Sequence, residues 1–253
     1  MLMPGMKIHA GTSGYGYAEW KGKFYPEKIA ARDMLRRYAE HLGTVEINNT
    51  FYRMPSQGIL ASWAGQVPDD FIFAIKAPQV ITHLKRLKNA EEETEYLFRS
   101  LSVLGQRQGP VLFQLPGSFR ADRQALEGFL RLLPDNTACA FEFRSRTWFD
   151  LGIPELLRDR GCSLCIADTD ERPAEDIIST AAWGYLRLRR VDYTDADLWN
   201  WLERILSQKW ESAFVYFKHE EDARGPELAM RFRELAESGV KGKKGKVKPR
   251  GFE

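Results

Sequence analysis

The sequence predicts an α/β fold, a single (β/α)8 TIM barrel. Eight short runs rich in β-branched and aromatic residues recur along the chain, and segments with helical spacing lie between them. Repeated alternation of strand and helix is typical of a parallel barrel, and such barrels often contain about 250 residues. No linker rich in Gly, Ser or Pro interrupts residues 1–240, so we predict one barrel domain there and a separate tail over residues 241–253.

The predicted strands are short and are bounded by Gly, Pro, Asn or Asp, which favour turns. In chain order they cover residues 8–11, 44–48, 71–77, 111–115, 139–143, 163–168, 184–189 and 213–218. A strand turns alternate side chains to opposite faces, so each of these runs has one face toward the barrel interior and one toward the helices.

Helical spacing of apolar residues predicts the helices that follow these strands. They cover residues 33–42, 58–63, 90–104, 122–132, 154–160, 195–206 and 226–237. Asp122 precedes its apolar run as an N-cap does, and Pro154 and Pro226 stand in first turns, where a missing N–H is tolerated. The polar stretch 173–180 after the sixth strand has no definite predicted element.

The composition is typical of a globular protein, with 43% hydrophobic and 28% charged residues. No stretch approaches the roughly 20 apolar residues of a membrane helix, and residues 1–6 do not resemble a secretory leader. Three cysteines are too few for a disulfide framework and favour a reducing compartment. We therefore expect a cytoplasmic protein with free thiols and no membrane contact.

The tail over residues 241–253 is strongly basic. It holds six Lys or Arg residues and one Glu, which leaves 31 basic and 34 acidic residues in the rest of the chain. Its Gly and Pro content and its few apolar residues favour a solvated, disordered end. The alternative is a non-specific contact with nucleic acid through this tail.

Side-chain parity predicts a ring of polar groups at the strand ends. Those turned inward are Glu46, Asn48, Lys76, Gln114, Glu142, Arg144, Arg187 and Lys218, and Asp168 ends its own strand. Buried charges must pair with one another or meet a polar ligand. The ring is therefore either a self-satisfied network, for example Glu46 with Lys76 and Glu142 with Arg187, or a ligand site at the C-terminal face, where barrels hold their active sites.

These residue types suggest roles in acid/base catalysis and in binding. Glu46, Glu142 and Asp168 are the candidate catalytic carboxylates, and His83, in the long segment after Lys76, is either a general acid or base or a loop residue with a hydrogen bond. The candidate substrate-binding residues are Asn48, Lys76, Gln114, Arg144, Arg187 and Tyr15. Tyr15 belongs to an aromatic group that either contacts a ligand or caps the barrel, together with Tyr17, Trp20, Phe51 and Tyr52.

Metal and cofactor signals are weak. The four histidines are scattered along the chain, which argues against a metal site built from several imidazoles. A single divalent metal on Glu46, Glu142 and Asp168 is an alternative. Cys162 and Cys165 stand at the start of a strand and are interpreted as core thiols, and no organic cofactor is implied.

Short motifs stand in a characteristic order along the chain: Gly11-Thr12-Ser13-Gly14-Tyr15, Val45-Glu46-Ile47-Asn48, Phe73-Ala74-Ile75-Lys76, Thr82-His83, Phe113-Gln114-Leu115-Pro116, Glu142-Phe143-Arg144 and Tyr185-Leu186-Arg187-Leu188. Over residues 7–235 this order resembles the YecE-like family, domain of unknown function 72. The resemblance implies a TIM barrel and a shared pocket lined by Glu46, Lys76, His83, Gln114, Glu142, Arg144, Asp168 and Arg187. It implies no particular reaction.

Two functional hypotheses follow. The first is an enzyme, of hydrolase, lyase or isomerase type, that uses acid/base carboxylates on a small anionic (phosphorylated or carboxylated) or sugar-like substrate at the C-terminal face of the barrel. The alternative is a nucleic-acid-binding protein or metal-dependent nuclease with a fold like that of barrel endonucleases that act at abasic sites. The second hypothesis requires several metal ligands and a basic rim, whereas residues 1–240 carry a net negative charge.

Overall fold

In the part of the chain that the structure describes, nine parallel strands form one nearly closed barrel. The computed structural model describes residues 5–150, 152–174, 176–218 and 221–244. In chain order the strands are β1 Lys7–Ser13, β2 Thr44–Ile47, β3 Ile72–Lys76, β4 Gln108–Leu115, β5 Cys139–Phe143, β6 Ser163–Leu164, β7 Ile166–Asp168, β8 Trp183–Leu188 and β9 Ser212–Phe217. Their order in the sheet is β6-β5-β4-β3-β2-β1-β9-β8-β7, so the predicted barrel is confirmed.

The ninth strand arises because the predicted sixth strand is divided. β6 pairs with β5, whereas β7 pairs with β8, so the chain changes neighbours within one extended run. Cys165 stands at the division, and its N–H still donates to the carbonyl of Phe141 at 2.8 Å. One strand of the predicted eight is therefore divided into two pieces. The number of strands is corrected from eight to nine, and the barrel architecture is unchanged.

Helices follow the strands near the predicted positions. They are α1 Met34–Ala39, α2 Gln57–Ala64, α3 Glu91–Leu101, α4 Arg123–Leu130, α5 Ile153–Asp159, α6 Asp195–Leu206 and α7 Arg224–Lys244. Asp122 caps α4 by accepting from the N–H of Ala125 at 2.9 Å, as predicted. The predicted tail falls largely on residues 245–253, which lie outside the described residues. Within the described ranges, none of the helices has the length and apolar content needed to cross a membrane.

The segment between β3 and α3 contains a feature that the sequence did not predict. Val80–Leu84 forms a single π-helical turn, which carries His83. Arg86, Leu87 and Asn89 then adopt positive φ angles, an unusual conformation for residues other than glycine. Such irregular backbone is commonly found near functional sites.

Side-chain parity on the strands divides the core into two layers. Val45, Ile47 and Phe141 pack between the sheet and the helices, as predicted. The barrel interior is filled by a separate cluster of Ala74, Leu112, Ala140, Cys165, Tyr185, Phe214 and Tyr216. Because all the strands are parallel, their C-terminal ends meet at one rim, and the inward polar residues are brought together above this cluster.

The opposite end of the barrel holds a cavity of about 470 Å³. It is lined by residues near the starts of the strands, among them Ile72, Gln108, Trp183 and Phe214. No residue of the predicted ring lines this cavity. In barrels of this class the N-terminal face serves stability, so we place the candidate site at the C-terminal mouth despite the cavity's size.

Candidate active site at the C-terminal mouth

Arg187 forms the centre of the site by bridging two glutamates. Its two terminal nitrogens contact Glu142 Oε2 at 2.6 Å and Glu46 Oε1 at 2.7 Å. The exposed fractions are 1% for Arg187, 0% for Glu46 and 3% for Glu142. The predicted pair of Glu142 with Arg187 is therefore confirmed. The predicted ion pair between Glu46 and Lys76 is wrong, because Glu46 pairs with Arg187 instead.

Neutral donors complete the coordination of both carboxylates. The Ser13 hydroxyl donates to Glu46 Oε1, and the phenol of Tyr185 donates to Glu46 Oε2 at 2.8 Å. The amide of Gln114 donates to Glu142 Oε1 at 2.7 Å. Burial of an ion pair is tolerable when further hydrogen bonds satisfy its remaining lone pairs. The network accordingly gives hydrogen-bond partners to both carboxylates inside the barrel.

Register between neighbouring strands explains how these side chains meet. Ser13 on β1 stands beside Glu46 on β2, and Gln114 on β4 stands beside Glu142 on β5. Asn48, just beyond the end of β2, donates to Ser13 Oγ at 3.0 Å and to Glu46 Oε1 at 3.3 Å. The predicted inward positions of these ring residues are thus brought together as expected.

The positive charges around Glu142 control its protonation. Burial alone would raise the pKa of this carboxyl, but the charges of Arg187 and Arg144 outweigh burial and lower it below the ordinary value. Arg144 Nε lies 3.3 Å from Glu142 Oε1. Burial opposes the charge of Arg187, yet Glu46 and Glu142 raise the pKa of its guanidinium. Glu142 and Arg187 therefore stay charged at neutral pH.

Lys76 lies at the mouth without an anionic partner. Its Nζ is 4.1 Å from the centroid of the Phe51 ring, and this Nζ makes no hydrogen bond or ion pair with any of the described residues. Burial and the charge of Arg187 lower the pKa of Lys76 to about 8. An appreciable fraction of this amine is therefore neutral near physiological pH.

His83 shares the aromatic ring that supports Lys76. The His83 ring meets Phe51 edge to face, with 4.8 Å between the ring centroids. Its Nδ1 lies 2.9 Å from the hydroxyl oxygen of Thr82. Burial and the charge of Lys76 lower the pKa of His83. At neutral pH its imidazole is thus mainly uncharged and can accept a proton.

The site has a buried layer and an open layer. The glutamates and Arg187 lie below, whereas the Arg144 side chain is 46% exposed and Lys76 and His83 are partly exposed. Asn48 is also partly exposed. Solvent at the mouth therefore meets cationic and neutral nitrogen groups before it meets a carboxylate.

Asp168 lies apart from this network. Its Oδ2 accepts from the Tyr193 phenol at 2.8 Å and contacts Arg190 Nε at 3.0 Å, and its Oδ1 accepts from the Ala174 N–H at 3.0 Å. These contacts anchor the segments after β7 and β8. They do not connect Asp168 with Glu46 or Glu142.

The single-metal alternative does not match this geometry. Across the described ranges, no three His, Cys, Asp or Glu side chains come close enough to share an ion. Glu46 and Glu142 both form ion pairs with Arg187, and Asp168 accepts a hydrogen bond from Tyr193 instead. The set predicted as one ligand group is therefore not brought together.

Other predicted residues lie at the edge of the site or outside it. The Tyr15 ring is half-buried beside Tyr38, with 6.3 Å between centroids, and Trp20 is buried in the core that surrounds the barrel. Lys218, predicted to point inward, follows the end of β9 and is exposed. His219 lies outside the described residues.

Sequence reasoning missed several partners of the ring. Ser13 is the last residue of β1 and was not among the predicted ring residues. Tyr185 shares a face of β8 with Arg187, but it was not predicted as a hydrogen-bond partner of Glu46. Tyr193 follows β8 in an irregular segment, and nothing in its local pattern indicates a bond to Asp168.

Comparisons with known proteins agree with this architecture. A family model described as "Protein of unknown function DUF72" matches residues 9–251. The chain is 36% identical over 129 residues to UPF0759 protein YecE of Escherichia coli strain K12, which is 50% of this chain and 47% of that protein. It is 28% identical over 151 residues to UPF0759 protein YunF of Bacillus subtilis strain 168, covering 56% and 52% respectively. The chain spans about half the length of the curated relatives it matches.

A solved structure extends the similarity to nearly the whole barrel. A crystal structure of a DUF72 family protein from Thermotoga maritima superposes with a TM-score of 0.79 at 26% identity. The match covers 91% of this chain and 99% of that chain. The fold is thus shared with an experimentally determined structure of a DUF72 family protein.

Proposed function

The chain belongs to the family described as protein of unknown function DUF72, and from that premise we propose that it is an enzyme acting on a small anionic or sugar-like substrate at the C-terminal mouth. The observation that carries the proposal is the arrangement of charge at this face. Arg144 and Lys76 are accessible above a layer in which Arg187 already neutralises much of the charge of Glu46 and Glu142. An incoming anion therefore meets positive charge that the carboxylates below do not fully cancel.

Roles within this proposal follow from burial and protonation. Arg144 anchors the anion, because its guanidinium offers several donors to a carboxylate or phosphate. His83, neutral near pH 7, moves a proton at the reacting atom. Glu46 and Glu142, predicted from the sequence as proton carriers, hold Arg187 in place in this proposal, because both are buried and bonded to it.

Substitution of Arg144 tests the anion anchor. We expect Arg144→Gln to weaken binding of inorganic phosphate, sugar phosphates or small dicarboxylates by about tenfold or more, the value of one lost charge-assisted hydrogen bond. Affinity would be measured by calorimetry and by ligand-induced shifts in melting temperature, with uncharged sugars included.

Arg146→Gln is the matched control, because Arg146 is an exposed arginine two positions along the same segment. It should bind these anions as the unsubstituted protein does. Equal loss in both variants, or no loss in Arg144→Gln, would contradict the proposed role. A panel in which no anion or sugar produces a shift would contradict the proposed substrate class.

The nuclease hypothesis is not favoured by this site. A metal-dependent nuclease needs several metal ligands in one place, and the described residues contain no group of three such side chains. Contact of the basic tail with nucleic acid stays a separate prediction. A chain without residues 241–253 should lose any salt-dependent binding to DNA if the tail alone is responsible.

The cytoplasm is the proposed compartment. Cys139, Cys162 and Cys165 are buried free thiols, as the interpretation of core cysteines requires. Free thiols persist in a reducing environment.

A further inference from the structure

Lys76 differs from the neighbouring lysines of the β3–α3 segment in having no carboxylate partner. Lys85 contacts Glu93 at 2.7 Å, and Lys88 contacts Asp122 at 2.7 Å. Lys76 instead lies over the face of Phe51. The Phe51 ring carries no net negative charge, and burial lowers the pKa of Lys76, so its amine loses a proton more readily than an ordinary lysine does.

The surroundings of Lys76 disfavour its charged form. Lys76 is partly buried, and the charges of Arg187 and Arg144 also act on it, whereas Glu46 and Glu142 are already paired with Arg187. A lysine that is desolvated and lies near other cations is the arrangement that activates an amine as a nucleophile. A lysine whose role was only to hold an anion would function better fully charged.

Two neighbouring groups provide what an amine nucleophile requires. Arg144, whose charge acts on Lys76, is 46% exposed at the mouth and can hold an anionic group of a substrate. His83 shares the Phe51 ring with Lys76 and is mainly neutral, so it can take up the proton that the amine releases. The mouth thus combines a nucleophile, a base and an anion anchor.

We propose that Lys76 forms a Schiff base with a carbonyl compound that also carries a carboxylate or phosphate. The Nζ lone pair attacks the carbonyl carbon, and the carbon–oxygen π bond breaks as the oxygen takes a proton. The amine gives up its protons, one through His83, and the oxygen leaves as water. The products are one imine and one water molecule for each amine and carbonyl consumed.

This inference rests on the proposed function, since the anion anchor and the mouth are the same. It adds a covalent step and narrows the substrate to carbonyl compounds. The two ideas are separable, because binding of an anion through Arg144 needs no covalent bond, whereas adduct formation requires the amine of Lys76.

The first experiment measures the reactivity of each lysine in the intact protein. Trace labelling with acetic anhydride between pH 6 and pH 11, followed by peptide mapping, yields a midpoint for every amine. We expect the midpoint of Lys76 near 8, well below the ordinary lysine value of about 10.4. A midpoint for Lys76 equal to that of Lys85 overturns the proposal.

The second experiment traps the imine. The protein is incubated at pH 7.4 with pyruvate, glyceraldehyde 3-phosphate or uncharged glyceraldehyde, reduced with borohydride and mapped by mass spectrometry. We expect an adduct on Lys76 with an anionic carbonyl compound, at a yield about tenfold or more above that on Lys85, because more of Lys76 is neutral than of an ordinary lysine. Uncharged glyceraldehyde should react less at Lys76.

Variants separate the two proposals. Lys76→Arg keeps the positive charge and should abolish the adduct while still binding phosphate, and Lys85→Arg should leave the Lys76 adduct unchanged. Arg144-dependent phosphate binding without a Lys76 adduct overturns the Schiff base and leaves the proposed function intact. Equal labelling of Lys76 and Lys85 by all three carbonyl compounds also overturns the Schiff base. Peptide mapping of the unsubstituted protein shows whether the adduct forms on Lys76 even if a variant folds poorly.

Discussion

Replacing Arg187 with methionine should lower the free energy of unfolding by about 3–5 kcal/mol. The substitution removes the guanidinium that bridges Glu46 and Glu142, and both carboxylates would remain inside the barrel. An uncompensated buried charge is costly because water cannot reach it. Urea denaturation at pH 7 measures the loss directly.

The pH dependence of this loss provides a second test. In the unsubstituted protein the pKa of Glu142 is lowered in the folded state, so its stabilising contribution exists above the unfolded value of 4.5 and disappears as the pH falls through the folded value. Without Arg187, burial should raise the pKa of the same carboxyl. The variant should therefore regain stability by protonation as the pH falls from 7, and the difference between the two proteins should shrink toward about pH 4.

Arg231 offers a matched control on the surface. It also contacts two carboxylates, Asp195 at 2.6 Å and Glu234 at 3.0 Å, but all three side chains are largely exposed. Arg231→Met should cost much less stability than Arg187→Met, because solvent screens an exposed ion pair. A triple variant, Glu46→Gln with Glu142→Gln and Arg187→Met, should recover much of the lost stability, because no buried charge is left unpaired. Similar losses for Arg187→Met and Arg231→Met would show that the buried bridge is not special.

Replacing Gly11 with alanine should destabilise the barrel by about 1–3 kcal/mol or more. A Cβ at this position would overlap the carbonyl oxygen of Thr44 and lie 2.9 Å from its carbonyl carbon. Backbone atoms cannot move aside as a flexible side chain can, so β1 and β2 would have to separate. Equilibrium denaturation and the melting temperature both report the loss.

The same substitution should also disturb the site. Ser13 pairs in register with Glu46 two residues beyond Gly11, so separation of the strands would pull the hydroxyl away from the carboxylate. Gly43→Ala is the matched control, because a Cβ there meets nothing within 4 Å, and it should change stability by less than about 0.5 kcal/mol. Equal stability of Gly11→Ala and Gly43→Ala would mean that β1 and β2 can separate without cost.

Strand residues of the site were predictable because a strand has a strict two-residue period. Val45 and Ile47 belong to the helix side, so Glu46 must face inward, and the same reasoning applies to Glu142 between Phe141 and Phe143. Local sequence alone carries this information. Residues in irregular segments could not be oriented in this way, which is why Tyr193 and the π-helical turn around His83 were not foreseen.

The sequence did not predict which charged residues of the ring pair with one another. Parity placed two carboxylates and several cations inside one rim, and Glu46 could have paired with Lys76 or with Arg187. The answer depends on distances across the barrel between strands far apart in the chain, since Arg187 lies on β8 and its partners lie on β2 and β5. Only closure of the barrel determines those distances.

The sequence by itself determined the eight-unit barrel, the inward face of each strand and the polar character of the mouth, because periodicity and turn residues act locally. The tertiary structure decided that Arg187 binds both glutamates and that the Lys76 amine lies above the face of the Phe51 ring. The physical reason is that a buried charge pairs with whichever opposite charge closure of the barrel brings within a few ångströms. Lys76, without such a partner, became the reactive group of the mouth in our proposal.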